Sequence, residues 1–225
     1  MKKNVNHIKI AMDGPAGSGK STVAQKVAEK LDLLYLDSGA MYRAVTVLAI
    51  ENGVETAIPE LIKLVKNCHI QFSENGKLIF LDSKDISTQI RTPEVNTLVA
   101  DIAKVPQIRT EIVRHQRRIG TQGGIIAEGR DLTTIVFPDA DYKFYLDASV
   151  TERAKRRYAE LLSQNVDTTL ETVEEEIRTR DEKDITREHS PLKAAKDAIC
   201  VDTTGKTIDE VVEYIISMVS SQNNN

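Results

Sequence analysis

A chain of 225 residues, 40% hydrophobic and 28% charged, is long enough for one large domain or for a core domain carrying a sizeable insert. Its formal net charge of −4 gives no electrostatic ground for a nucleic-acid or membrane partner. Cys68 and Cys200 stand far apart outside any CxxC pattern, and His7, His69, His115 and His189 lack metal-ligand spacing, which argues against a disulfide scaffold or a zinc site.

The opening "MKKNVNHIKIAMDG" lacks the continuous apolar segment of a signal peptide, and no stretch approaches the roughly 18 apolar residues of a membrane span. A soluble, cytoplasmic protein is expected. The first strand-like run is Ile8 to Met12, and Gly14-Pro15-Ala16-Gly17-Ser18-Gly19-Lys20-Ser21-Thr22 follows it. This is the GxxxxGK[ST] pattern of a phosphate-binding P-loop. Its glycines let the backbone curl and turn several N–H groups toward one anion, and the helix beginning after it adds its positive end. Lys20 supplies a point charge to phosphate oxygens, and the Ser21 hydroxyl suits a Mg²⁺ ion. Val23, Val27 and Leu31, four residues apart, mark the helix.

The second run, Leu33 to Leu36, leads into "LDSGAMYR". Ser38 and Gly39 fall at a strand-to-helix turn whose N–H groups suit a second anion, and Arg43 lies one turn further on. The rhythm then breaks. "CHIQFSENGKLIFLD" places two strand-like runs around Asn75-Gly76, the preferred pair for a two-residue type I′ hairpin. An antiparallel hairpin does not belong in a parallel series, so residues 59–95 read as a small β-rich insert.

The third run, Ile125 to Ala127, ends in "EGRD". Glu128 closes a buried strand, where a carboxylate can reach a metal, and Arg130 and Asp131 follow. The fourth run, Tyr142 to Leu146, precedes Ser149-Val150-Thr151-Glu152, which reads as a capping box. "TRDEKDITRE" (Thr179 to Glu188) carries seven charges in ten residues, the composition of a solvated helix face. Ala198 to Val201 is the fifth run, and Thr207 to Glu210 repeats the capping box before a last helix with Val211, Val212, Ile215 and Ile216. Residues 222–225 are a polar tail.

Short apolar runs alternating with helical patterns predict an α/β fold: a three-layer P-loop NTPase core with a five-stranded parallel sheet. A P-loop leaves kinases, GTPase switches and ATPases open. A guanine-reading NKxD motif is absent, and the DxxG at Asp202-Thr203-Thr204-Gly205 follows the last strand, where a γ-phosphate switch has no use for it. A kinase needs a second, arginine-rich anion site at the sheet edge that carries the P-loop, and "LDSGAMYR" and "EGRD" both end there. Kinases for UMP, AMP or a shikimate-like acceptor stay open on these grounds.

The motifs "GPAGSGKST", "LDSGAMYR", "IRTPEV", "VPQIR", "EGRD", "VFPDAD", "DASVTERAKRR", "RDEKDITRE" and "DTTGKTIDEV" occur in the order found in bacterial cytidylate kinases, and the chain resembles that family over nearly its whole length. The resemblance implies phosphoryl transfer from ATP, with Mg²⁺, to CMP or dCMP by a monomer. It makes the insert a nucleoside-monophosphate-binding region and residues 151–189 a short helical lid, leaving 1–58, 96–150 and 190–221 as core. It implies that Ser38, Arg43 and Arg130 hold the acceptor phosphate, that Arg109 and Asp131 read cytosine, and that Arg180 and Asp184 contact the acceptor nucleotide. Arg187 would stabilise the transferring group together with Lys20, Arg130 and Arg180, and Arg156 would serve ATP. Gly14 to Thr22 would hold the donor, with Ser21 and Glu128 at the metal. Two positions depart from the family pattern: Ala100 stands where many relatives have serine, and Thr133 where many have glycine after GRD-x. Both bear on base selectivity.

Overall fold

The computed structural model describes residues 7–73 and 76–222. Five strands form one parallel sheet: β1 (Lys9–Asp13), β2 (Leu34–Asp37), β6 (Ile125–Gly129), β7 (Tyr142–Asp147) and β8 (Ile199–Asp202), in the order β2-β6-β1-β7-β8. Each of the five expected runs is one of these strands. Crossovers between parallel neighbours need long connections, and helices supply them.

Alternation along the strands makes two cores. Ile10, Met12, Tyr35 and Ile126 face helices α1 (Lys20–Leu31) and α8 (Ile208–Gln222), meeting Val23, Val27, Val212 and Ile215. Ala11, Leu36 and Ala127 face the other way, toward α2 (Ser38–Asn52), α3 (Ile58–Asn67), α4 (Pro93–Lys104) and α5 (Pro106–Ile119). Sheet positions of opposite parity thus fill opposite layers, as a period of two demands.

A second sheet is antiparallel: β3 (Ile70–Phe72), β4 (Ile79–Leu81) and β5 (Lys84–Asp85). The β3–β4 pair confirms the expected hairpin, but its connection is longer than two residues. Ser73 N–H donates to Leu78 O at 3.0 Å and Gly76 N–H to Ser73 O at 2.8 Å. Asn75, half of the expected type I′ pair, lies outside the described residues. Ile70, Ile79 and Leu81 belong to the same apolar cluster as α2 and β6, so the small sheet has no core of its own.

Helices α6 (Val150–Ser163) and α7 (Leu170–Thr186) differ from the rest. They meet through a small cluster of Ala154, Val173 and Ile177, separate from both sheet cores. Of the two predicted capping boxes, the one at Thr207 is reciprocal: its N–H donates to Glu210 Oε2 at 2.7 Å and Glu210 N–H returns to its hydroxyl at 3.2 Å. At Ser149 only half forms. Glu152 N–H reaches Ser149 Oγ at 3.3 Å, while the Glu152 carboxylate pairs with Arg156 and Ser149 N–H turns to Thr204 Oγ1.

Candidate active site

Strand register assembles the site. Asp37 on β2 and Met12 on β1 both lie level with Glu128 on β6, and Asp13 lies level with Gly129. The P-loop, the start of α2 and the "EGRD" turn therefore leave the sheet at one edge, side by side.

In the P-loop, backbone geometry sets the shape. Gly17 and Gly19 take φ of 75° and 83°, a region that favours glycine. A Cβ at Gly14 would sit 2.1 Å from Leu146 O, so that position admits no side chain. The loop ends in Lys20, which is 5% exposed. Its ammonium donates to Pro15 O at 3.1 Å and lies 3.9 Å from Glu128 Oε2. Burial, then the neighbouring Arg130, push its pKa down to about 7 against the pull of Glu128. Ser21 Oγ donates to Glu128 Oε1 at 2.9 Å, and Tyr35 OH reaches the same oxygen at 3.4 Å. Thr22, in the first turn of α1, is exposed.

A further acid, Asp37, for which the sequence motifs imply no role, lies in this corner. Burial, then Glu128, raise the Asp37 carboxyl to about 6, and Oδ1 accepts Ala40 N–H at 2.9 Å as the cap of α2. That cap claims the Ala40 N–H, one residue beyond the Ser38 and Gly39 N–H groups expected at the anion. Arg43 is likewise engaged: it donates to Ile90 O at 3.0 Å and to Asn96 Oδ1. The signal for Asp37 was its place at a strand end, parallel to Glu128.

Beyond Lys20 lies a cleft of paired charges. Arg109 on α5 is buried, bonds to the buried Asp131 and stacks over the Tyr42 ring, its guanidinium carbon 5.2 Å from the centroid. Arg130 Nε donates to Asp184 Oδ2 at 2.9 Å, and Arg187 reaches the other Asp184 oxygen at 3.5 Å. Burial, then Arg109, lower the Arg187 pKa. Arg180 is exposed as a residue, yet its head group stands among cations: desolvation, then Arg130, lower its pKa while Asp184 opposes. Arg43 and Arg157 add to that repulsion, and Arg157 was unassigned. Two guanidinium nitrogens, Arg109 Nε and one terminal nitrogen of Arg187, are buried without an acceptor among the described residues.

Arg156 stands apart from this cleft. It donates to Thr203 Oγ1 at 3.0 Å and Thr203 O at 2.6 Å, beside Gly19. The "DTTG" turn is thus a neighbour of the P-loop. Thr133 is buried, and its hydroxyl and N–H both donate to Asp13, at 2.6 and 2.8 Å. Leu132 N–H adds a third bond, and burial raises Asp13 to about 6. The threonine in place of glycine therefore ties the "GRD" turn to the end of β1. Ala100 is exposed on α4.

The charged run of α7 holds one buried pair. Asp181 is 8% exposed and binds Arg153 at 2.6 Å; Arg153 also donates to Ala16 O at 2.9 Å, and Ala16 N–H reaches Asp181 at 3.4 Å. A pair from α6 and α7 thus grips the P-loop from behind. Glu182 and Lys183 are exposed, as a solvated face requires.

Known proteins resemble this chain over nearly its whole length. A family profile for cytidylate kinase matches residues 10–221. A cytidylate kinase of Clostridioides difficile is 48% identical over 217 residues, covering 96% of this chain and 100% of that relative. One from Bacillus cereus is 49% identical over 216 residues, covering 95% of this chain and 96% of the relative. Among solved structures, an uncharacterized protein from Eubacterium ventriosum aligns with a TM-score of 0.53 at 16% identity, spanning 96% of this chain and 99% of its own, a likeness of fold alone.

Proposed function

The chain belongs to the cytidylate kinase family, and on that premise we propose that it transfers the γ-phosphoryl group of ATP to CMP or dCMP, giving ADP and CDP or dCDP. One observation carries the assignment of parts: Lys20 of the P-loop lies 3.9 Å from Glu128, two residues before Arg130, whose guanidinium Asp184 holds at 2.9 Å, so a donor cradle and an arginine-rich cleft adjoin.

Gly14 to Thr22 hold the donor phosphates, and Arg156 with the Thr203 turn flanks the donor. Ser38, Arg43 and Arg130 take the acceptor phosphate. Arg109 and Asp131 face the cytosine edge, offering one donor and one acceptor. Arg180 and Asp184 contact the acceptor nucleotide, and Arg187 meets the transferring group with its spare N–H. The acceptor phosphate is already an anion, so no strong base is required. The difficulty is bringing two polyanions into line, and Lys20 with the arginines offsets their repulsion.

Mg²⁺ suits this corner. Ser21 Oγ and Glu128 Oε1, 2.9 Å apart, are a hydroxyl and a carboxylate, the hard oxygen ligands that Mg²⁺ takes alongside waters and phosphates. They would hold the ion, which would neutralise phosphate charge.

Residues 151–189 act as the lid, a reading supported by their separate small cluster, and 59–95 as the acceptor-side insert. The enzyme works as a cytoplasmic monomer on small-molecule substrates. ATP consumption against a panel of nucleoside monophosphates tests the proposal: CMP and dCMP should stimulate turnover well above UMP and AMP. Turnover that no acceptor stimulates refutes a kinase, and turnover led by UMP or AMP refutes the acceptor.

A further inference from the structure

Gln116 lies on α5, is 1% exposed, and donates from Nε2 to Ser38 Oγ at 3.0 Å across 78 residues of sequence. Ser38 is 4% exposed and opens α2. On its other side Gly129 presses close: a Cβ there would lie 3.2 Å from Ser38 Oγ.

A serine hydroxyl has one proton to donate and two lone pairs to accept with. Here the amide of Gln116 occupies a lone pair. The hydroxyl proton is therefore turned away from α5, and Ser38 Oγ finds no acceptor for it among the described residues. An anion placed at Ser38 would receive that proton in a charge-assisted bond, the stronger kind. The Gln116 Oε1 atom is buried and unpartnered among the described residues, a cost that packing alone does not explain. Gln116 also lies seven residues after Arg109, two helical turns along the same buried stripe as Ile108 and Ile112. One face of α5 thus carries the arginine bound to Asp131 and the amide bound to Ser38.

We propose that Gln116 is a positioning residue for the acceptor phosphate, orienting the Ser38 hydroxyl so that its proton points to the anion. The inference rests on the reading of Ser38 as a phosphate ligand, and it explains the choice of an amide. A carboxylate of the same shape would draw the Ser38 proton back toward α5 and add a negative charge beside the phosphate.

The test is a double-mutant cycle of Ser38→Ala and Gln116→Met, with Gln116→Glu as a second variant of equal size. KM values for CMP and ATP are measured, together with the affinities for CMP and for cytidine, which lacks the phosphate. Gln116→Met should raise KM for CMP about five- to tenfold, the loss of one hydrogen bond's alignment. KM for ATP and the affinity for cytidine should stay within about twofold of wild type, because neither contacts Ser38. Gln116→Glu should raise KM for CMP further than Gln116→Met. In the Ser38→Ala background Gln116→Met should add nothing. Penalties that multiply, a matching loss of cytidine affinity, or Gln116 variants with unchanged KM beside a damaged Ser38→Ala each overturn the inference. A Ser38→Ala enzyme with normal KM for CMP overturns the Ser38 assignment, and the inference with it.

Discussion

The P-loop and the cleft proposed for the acceptor meet at Lys20, yet they are built by opposite means. The loop is made of backbone: its glycines set the curve, β1 and α1 fix its two ends, and Lys20 is its single charge. The cleft is made of side chains from α2, α5, the turn after β6, and α7 with the residue that follows it, and most of its charges already hold one another: Arg109 with Asp131, Arg130 and Arg187 with Asp184, while Arg180 is left among cations. A backbone cradle stands ready without its ligand. A side-chain site that carries several cations must satisfy them internally until the substrate arrives, because unpaired buried charge is costly. Substitutions should therefore behave differently in the two halves, failing as a block in the loop and as separable functions in the cleft.

The largest effect belongs to the loop. Lys20→Ala should lower kcat by at least about 10³-fold, since no second side chain of the loop brings a charge to the donor phosphates. An ADP-release assay reads this directly, and near-normal kcat would put donor binding elsewhere.

In the cleft, Arg187 and Glu182 sit in one charged run and should separate cleanly. Arg187→Ala removes a guanidinium with a spare buried N–H and should lower kcat by about 10²–10³-fold. Glu182→Ala trims an exposed carboxylate and should stay within about twofold. Equal losses would mean that the run acts only as a helix surface. A smaller effect, confined to selectivity, is expected at Arg109 and Asp131, the pair proposed to face the base. Asp131→Ala should narrow the CMP-to-UMP ratio of kcat/KM by about 10–100-fold, the range for losing one polar contact to a base edge. An unchanged ratio would move base recognition away from Asp131.

The same contrast explains what the residues revealed before the fold was known. The P-loop was legible because its spacing is local: nine adjacent residues between a strand and a helix carry the whole motif. The five core strands were legible for the same reason, each a short apolar run. Pairings across the chain were not. Asp181 and Arg153 are 28 residues apart, and nothing in "TRDEKDITRE" marks its first acid as buried rather than wet. Gln116 and Ser38 meet only because α5 crosses the start of α2. Composition judged Glu182 and Lys183 correctly as surface, since no partner draws them in. Arg43 shows the remaining gap: its position on α2 was read correctly, while its head group is claimed by Ile90 O and Asn96.

The finest test of the comparison is pH, because only the loop carries a charge that burial brings down to titrate near neutrality. With its pKa near 7, Lys20 in the ligand-free protein loses its charge as pH rises through neutrality. Phosphate oxygens favour the ammonium, so nucleotide binding raises that pKa and takes up a proton. ADP affinity should therefore fall as pH rises from about 7.5 to 9, by up to about tenfold per unit, in a range where the phosphates of ADP are themselves ionised. Lys20→Arg, which keeps its proton throughout, should flatten the profile even if it weakens binding overall. The cleft makes the opposite prediction, since its cations are arginines that stay charged across the same range: the affinity for CMP should be flat there. A wild-type ADP affinity independent of pH would show that the ammonium is already fully charged in the free protein, and that the loop, like the cleft, is electrostatically satisfied before its substrate binds.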